Sequence, residues 1–201
     1  MSSADSLPLC FYWLLTLNSH YYAQDRYSEA KSLYQRSLFI REKVLGKSHF
    51  ETAVSLNGLA IVNSAQGDYS IAEPLYQQSL EIFENSLGKE HLAVAACLNG
   101  LAELYRMQGR YLEAKPLYQR SLAIRQKSLG EEHAHVAISL NNLALLCEAE
   151  GNYLEAESLY RRSLEIKEKV LGKTHPSTQL GRKNYESFLA DINSKQYASD
   201  R

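Results

Sequence analysis

Four histidines, His49, His91, His133 and His175, recur at a constant step of 42 residues, and imidazoles at a fixed spacing invite a test as metal ligands. Geometry rejects them. Equivalent points on stacked helices lie about 10 Å apart, whereas nitrogens sharing one zinc ion each lie within about 2.1 Å of it. His133 and His135 are the only close pair, and the series is read instead as structural, at the start of a helix. Ser37, Ser79, Ser121 and Ser163 follow the same step. No GxSxG elbow, HExxH motif or Gly-rich phosphate loop accompanies them, and they fall on helix faces that should pack. No catalytic residue, metal ligand or cofactor is therefore assigned, and the chain is read as a non-enzyme. Cys10, Cys97 and Cys147 are odd in number and share no ligand spacing, which suits buried thiols in a reducing, cytoplasmic compartment.

The step of 42 organises the whole chain. It links Tyr27, Tyr69, Tyr111 and Tyr153, then Ala30, Ala72, Ala114 and Ala156, then Tyr34, Tyr76, Tyr118 and Tyr160. Ile40, Ile82, Ile124 and Ile166 follow it, as do Gly46, Gly88, Gly130 and Gly172. Each unit reads as two helices. In the second, Tyr111 to Lys127, the residues Ala114, Leu117, Tyr118, Ser121, Leu122 and Arg125 share one face at steps of three and four. Gly130 supplies the left-handed residue that stops it. In the first, Val94 to Met107, Leu98, Leu101, Ala102 and Tyr105 share a face and Gly109 lies just past the end. These are helices B and A of a repeat. Ala60 with Ala72, Ala102 with Ala114 and Ala144 with Ala156 provide the short side chains that a close helix crossing needs. The periodic tyrosines fill the space between pairs.

The residues Leu98, Leu101, Ala102, Tyr105, Gly109, Tyr111, Ala114 and Tyr118 resemble the tetratricopeptide signature. The unit is longer than that family's usual ~34 residues. With LNNLALL at Leu140 to Leu146, LYRRSLEIKEKVLG at Leu159 to Gly172 and a following His-Pro, it is similar to the extended repeats of kinesin light chains. The likeness runs from about Leu14 to Leu189. It implies an all-α fold: a right-handed α-solenoid of stacked antiparallel helix pairs with a C-terminal capping helix. Residues 1–201 then form a single repeat domain, with repeats at 9–46 (a degenerate cap), 49–88, 91–130 and 133–172 and a capping helix at 175–192. That cap enters through Pro176 and packs Leu180, Tyr185, Phe188, Leu189 and Ile192. The first unit departs from the pattern, with Asn18 for Ala60 and Asp25 for Gly67, as terminal repeats often do. The apolar run Leu7 to Leu17 lacks the flanks of a signal peptide and is too short to span a bilayer. It is read as the first helix.

The resemblance further implies that the A helices line a concave groove, which becomes the candidate binding surface. Its inward positions include Asn57, Asn99 and Asn141, with Asn142 beside the last and Lys183 in the equivalent place of the cap. Asparagine is a mediocre helix former, so a recurring one needs a reason. Its amide can meet the backbone of an extended peptide, or it can bridge neighbouring A helices; the chemistry is the same. Other groove positions differ from repeat to repeat: Ile61, Glu103 and Leu145; Ser64, Arg106 and Glu148; Ala65, Met107 and Ala149. Differences on one face suggest ligand choice. Kinesin light chain grooves take aromatic-acidic peptides, but here Glu103 and Glu148 offset Arg106 and Lys183.

Composition narrows the partner. The 201 residues carry a formal net charge of -1 and 45% apolar content, with no basic stripe for nucleic acid and no polybasic segment for a membrane. A protein or peptide partner is expected, and neither nucleic acid nor membrane. Two functions follow: an adaptor binding a peptide in the groove, or a self-assembling scaffold in which Phe11, Trp13 and Leu15 pair with another copy of the chain.

Overall fold

The computed structural model describes residues 27–199, which form eight helices and, among the described residues, no strand. They are α1 (Tyr27–Leu45), α2 (Phe50–Ala65), α3 (Tyr69–Leu87), α4 (Leu92–Met107), α5 (Tyr111–Leu129), α6 (Ala134–Ala149), α7 (Tyr153–Leu171) and α8 (Pro176–Ser199). The helix read over Leu7 to Leu17, with Cys10, Asn18 and Asp25, lies outside the described residues. The chain divides into two compact units between Leu87 and Gly88. In the first unit α1 packs on α2 and α2 on α3; in the second each helix from α4 to α8 packs on the next, and α4 also meets α6. The second unit is thus a run of stacked antiparallel helix pairs.

The histidine series explains where the A helices begin. Nδ1 of His49, His91, His133 and His175 accepts the backbone N–H two residues on, at 3.2, 3.1, 3.1 and 3.1 Å. Each imidazole satisfies one of the orphan donors of a first turn, the office usually held by Ser or Asp. The A helices end as Gly109 suggests. Its φ of +74° accompanies bonds from Gly109 N to Arg106 O (3.0 Å) and from Arg110 N to Tyr105 O (2.9 Å), a Schellman closure. Gly130 differs from expectation: φ +85° with ψ 159° is extended rather than left-handed helical, a region only glycine occupies readily.

The crossing alanines are fully buried: Ala60, Ala72, Ala102, Ala114, Ala144 and Ala156 all have zero exposure. The serines lock each pair at the same crossing. Ser79, Ser121 and Ser163 donate to the carbonyls of Ala53, Ala95 and Ala137, at 2.8, 2.7 and 2.6 Å. Neighbouring pairs are tied by cations as well as apolar contacts. Arg41 reaches Ser55 Oγ (2.8 Å) and the Glu51 carboxylate (2.8 Å), and Arg125 reaches Ser139 Oγ (2.8 Å). Burial brings the Arg125 guanidinium down to about 10. At the corresponding place Lys167 is buried against Gly181, where an added Cβ would come within 2.9 Å of Nζ.

Helix α8 sets Phe188 into the cluster of Ala144, Cys147, Ala156 and Tyr160, flanked by Tyr185, Leu189 and Ile192. Leu180 does not join them: it is exposed.

Candidate functional site

Of the predicted groove residues on α4 and α6, Asn99, Glu103, Arg106, Asn142, Leu145 and Glu148 are half-buried and Asn141 is buried. Glu103 and Arg106, one turn apart on α4, form a two-pronged pair, Nε to Oε2 at 2.9 Å and Nη2 to Oε1 at 2.7 Å. Tyr118 of α5 crosses the helix pair and donates its hydroxyl to the same Glu103 carboxylate. In the next pair Tyr160 of α7 donates to Glu148 of α6 at 2.6 Å. Burial, and then the adjacent carboxylate, hold both phenols well above the ordinary tyrosine range, so each remains a donor. Hydrogen bonding to Glu103 likewise drives Arg106 upward. Arg106 is therefore neutralised in place. Glu148 has no cation within ion-pair distance among the described residues. Leu145 is half-buried against the Tyr160 and Phe188 cluster, and Met107 is 49% exposed.

The asparagines engage one another. Asn142 donates to Asn99 Oδ1 at 3.0 Å and Asn184 to Asn141 Oδ1 at 3.4 Å, so amides link α4 to α6 and α6 to α8. Asn141 is buried. Lys183 is not part of this row; it is exposed on α8, and the neighbouring Asn184 takes the place against Asn141. In the first unit Asn57 and Ile61 are half-buried on α2, and Asn57 Oδ1 is buried without a hydrogen bond.

Reading the tyrosines as packing alone missed what their hydroxyls do. A signal was available. Each of the repeats that carries Tyr118 or Tyr160 has one carboxylate at one of two positions a turn apart, Glu103 before Arg106 and Glu148 after Leu145, whereas the unit of Tyr76 has Ile61 and Ser64 there. The remaining reactive groups are quiet. Burial pushes the Cys147 thiol up to about 11, and no cluster of three His, Cys, Asp or Glu among the described residues suits a metal ion.

The tetratricopeptide repeat family model matches residues 13–85, 65–127, 94–169 and 135–178, overlapping windows that cover most of the chain. The chain belongs to the tetratricopeptide repeat family. This tetratricopeptide repeat protein is of the kinesin light chain-like type. It is similar to the putative kinesin light chain of Podosopora anserina, solved for its nearly identical TPR-like repeats. The two share 27% identity and a TM-score of 0.71, over 93% of this chain and 89% of that one. BtubC (BKLC) from P. vanneervenii shares the fold, with 24% identity and a TM-score of 0.74 over 93% of this chain and 74% of the other. No curated protein matches the sequence. Tetratricopeptide repeats mediate protein–protein interaction and are typically not catalytic. No helix among the described residues is long and apolar enough to cross a membrane.

Proposed function

We propose that this protein is an adaptor whose second unit binds an extended peptide along the exposed side of α4, α6 and α8. The observation that carries the reading is Glu148: a carboxylate oriented by Tyr160 at 2.6 Å, with no cation of its own, one turn along α6 from the half-buried Leu145. An apolar residue with a Lys or Arg nearby answers that arrangement, since a fixed, partly desolvated carboxylate favours a cationic partner. Arg106 is already occupied by Glu103, so an acidic peptide would first have to break that pair. Each amide bridge leaves asparagine donors over, in reach of a peptide backbone carbonyl.

The test is a fluorescence-anisotropy screen of two extended peptide libraries, one pairing Lys or Arg with Leu or Phe and the other carrying Asp or Glu instead. Glu148→Gln keeps an acceptor for Tyr160 and removes only the charge. The reading expects binding from the basic library alone, weakened about tenfold or more in Glu148→Gln, a loss of about 1.4 kcal/mol, with an unchanged thermal melt. Preference for the acidic library, or equal binding by the variant, would discard it.

A further inference from the structure

Tyr160 holds two groups at once. Its hydroxyl donates to Glu148 at 2.6 Å, and its ring carries that of Tyr185 from α8, stacked at 24° with centroids 6.1 Å apart. Tyr185 departs from the repeat. Leu59, Leu101 and Leu143 occupy its place in the earlier A helices, at 5%, 4% and 5% exposure, whereas Tyr185 is half-buried. Helix α8 thus brings an aromatic ring, in place of an aliphatic side chain, to the tyrosine that orients Glu148.

The chain itself shows what completes each half of such a site. In the preceding helix pair the carboxylate held by a tyrosine is Glu103, on Tyr118, and it takes a guanidinium two-pronged, that of Arg106, at 2.9 and 2.7 Å. Glu148 has its tyrosine but no such cation among the described residues. Arg110 shows ring and carboxylate used together. Its guanidinium carbon lies 4.0 Å from the centroid of the Tyr105 ring, while Nε and Nη2 reach Oε1 and Oε2 of Glu113, both at 2.7 Å. A guanidinium can do both because its five N–H donors lie in its own plane and point outward past the ring on which it stacks. An ammonium is a compact, strongly hydrated charge with no flat face to stack.

We propose that the Tyr185 ring and the Glu148 carboxylate, both held by Tyr160, form a receptor for an arginine side chain of the bound peptide. The inference rests on the reading of Glu148 given above and narrows its cation from lysine or arginine to arginine. Desolvation works in the same direction, since a guanidinium is more weakly hydrated than an ammonium and loses less on entering a half-buried site. Tyr185 is then a specificity residue: Glu148 attracts any cation, and the ring supplies the preference.

The test splits the basic library in two, one half carrying only Arg and the other only Lys beside Leu or Phe, at equal net charge. Both are titrated against the full-length protein by fluorescence anisotropy. The Arg half should bind about threefold or more tightly than the Lys half. Tyr185→Leu, which installs the residue of the earlier repeats, should bring the two close to equal, while Tyr185→Phe should keep the gap, because stacking needs the ring and not the hydroxyl. Circular dichroism checks that each variant is folded; should Tyr185→Leu not be, Tyr185→Met, likewise without a ring, takes its place. Equal binding of the two halves by the parent protein, or a preference for Lys, overturns the proposal without any variant having to fold. A gap that survives in the folded ringless variant removes Tyr185 from the site and overturns it too. Failure of both halves to bind takes down the Glu148 reading itself, and this proposal with it. Binding of both that Glu148→Gln weakens, without preference for Arg, leaves that reading standing and sinks this one alone.

Discussion

A histidine that caps a helix works only while Nδ1 is free to accept, and protonation turns that atom into a donor. His135, two residues past the cap at His133, is acid-sensitive: burial first, then Arg125 and His133, lowers it to about 4. Its folded value lies below the unfolded one near 6.5. Between the two the unfolded chain binds more protons, so stability is lost as pH falls from about 6.5 to about 4. Thermal melts should show this slope, flattened in His135→Ala, the residue found at the matching position Ala93. Lys167 offers the opposite experiment. Burial lowers its ammonium, so the charged form destabilises the fold, and stability rises with pH through the window between its folded and unfolded values. Lys167→Met should raise the melting temperature at pH 7, by an effect on the order of 1 kcal/mol, and its advantage should shrink toward pH 10. At Gly130 the backbone itself is the constraint: Gly130→Ala should cost about 1–3 kcal/mol in urea unfolding.

At the level of the element, the pairs depend on alanine crossings and α8 depends on aromatic packing. Ala114 has no exposed surface, and Ala114→Leu should overpack the contact of α4 with α5, at about 1–3 kcal/mol. The aromatic contacts of α8 centre on the Tyr160 ring. Phe188 lies 5.2 Å from the Tyr160 ring and Tyr185 lies 6.1 Å from it, so α8 shields the ring whose hydroxyl orients Glu148. Phe188→Ala should cost about 3–5 kcal/mol, and hydrogen exchange should show α8 released before α4 and α5. If α8 kept its protection, the cap would be held by its amide and ionic links, Asn184 to Asn141 and Arg182 to Glu168, rather than by packing.

For the whole molecule, the proposed binding through Glu148 carries a salt signature. A peptide held by one exposed-side ion pair beside apolar surface should lose affinity modestly as ionic strength rises and keep the apolar share, because screening acts on the charge alone. Titrations of the basic library at low and high salt test this. Glu148→Gln should bind more weakly and respond less to salt than the parent protein; an identical salt response in both would move the ion pair elsewhere on the surface.

The all-α repeat architecture, the helix pairs and the tetratricopeptide membership are legible in the amino-acid order alone. Those follow from one-dimensional regularities: a 42-residue step, apolar residues at steps of three and four, small residues at crossings, and glycines at helix ends. Even so, α5 extends to Leu129, two residues past the end that the apolar pattern marks, because its last turn faces solvent. Which side chains meet emerges only from the packing of the helices. Periodicity identifies equivalent positions and is silent on neighbouring ones. The amide bridges join Asn142 to Asn99 and Asn184 to Asn141 across 43 residues, not 42, since stacked helices are staggered and a side chain meets the residue beside its counterpart. The same stagger left Lys183 outside the row. Tyr118 with Glu103 and Tyr160 with Glu148 span 15 and 12 residues, because a phenol crossing between helices reaches either of two positions a turn apart. Burial of Arg125 and Lys167 likewise depends on what the next helix offers, a serine in one case and a glycine in the other, and helix B alone does not contain that information.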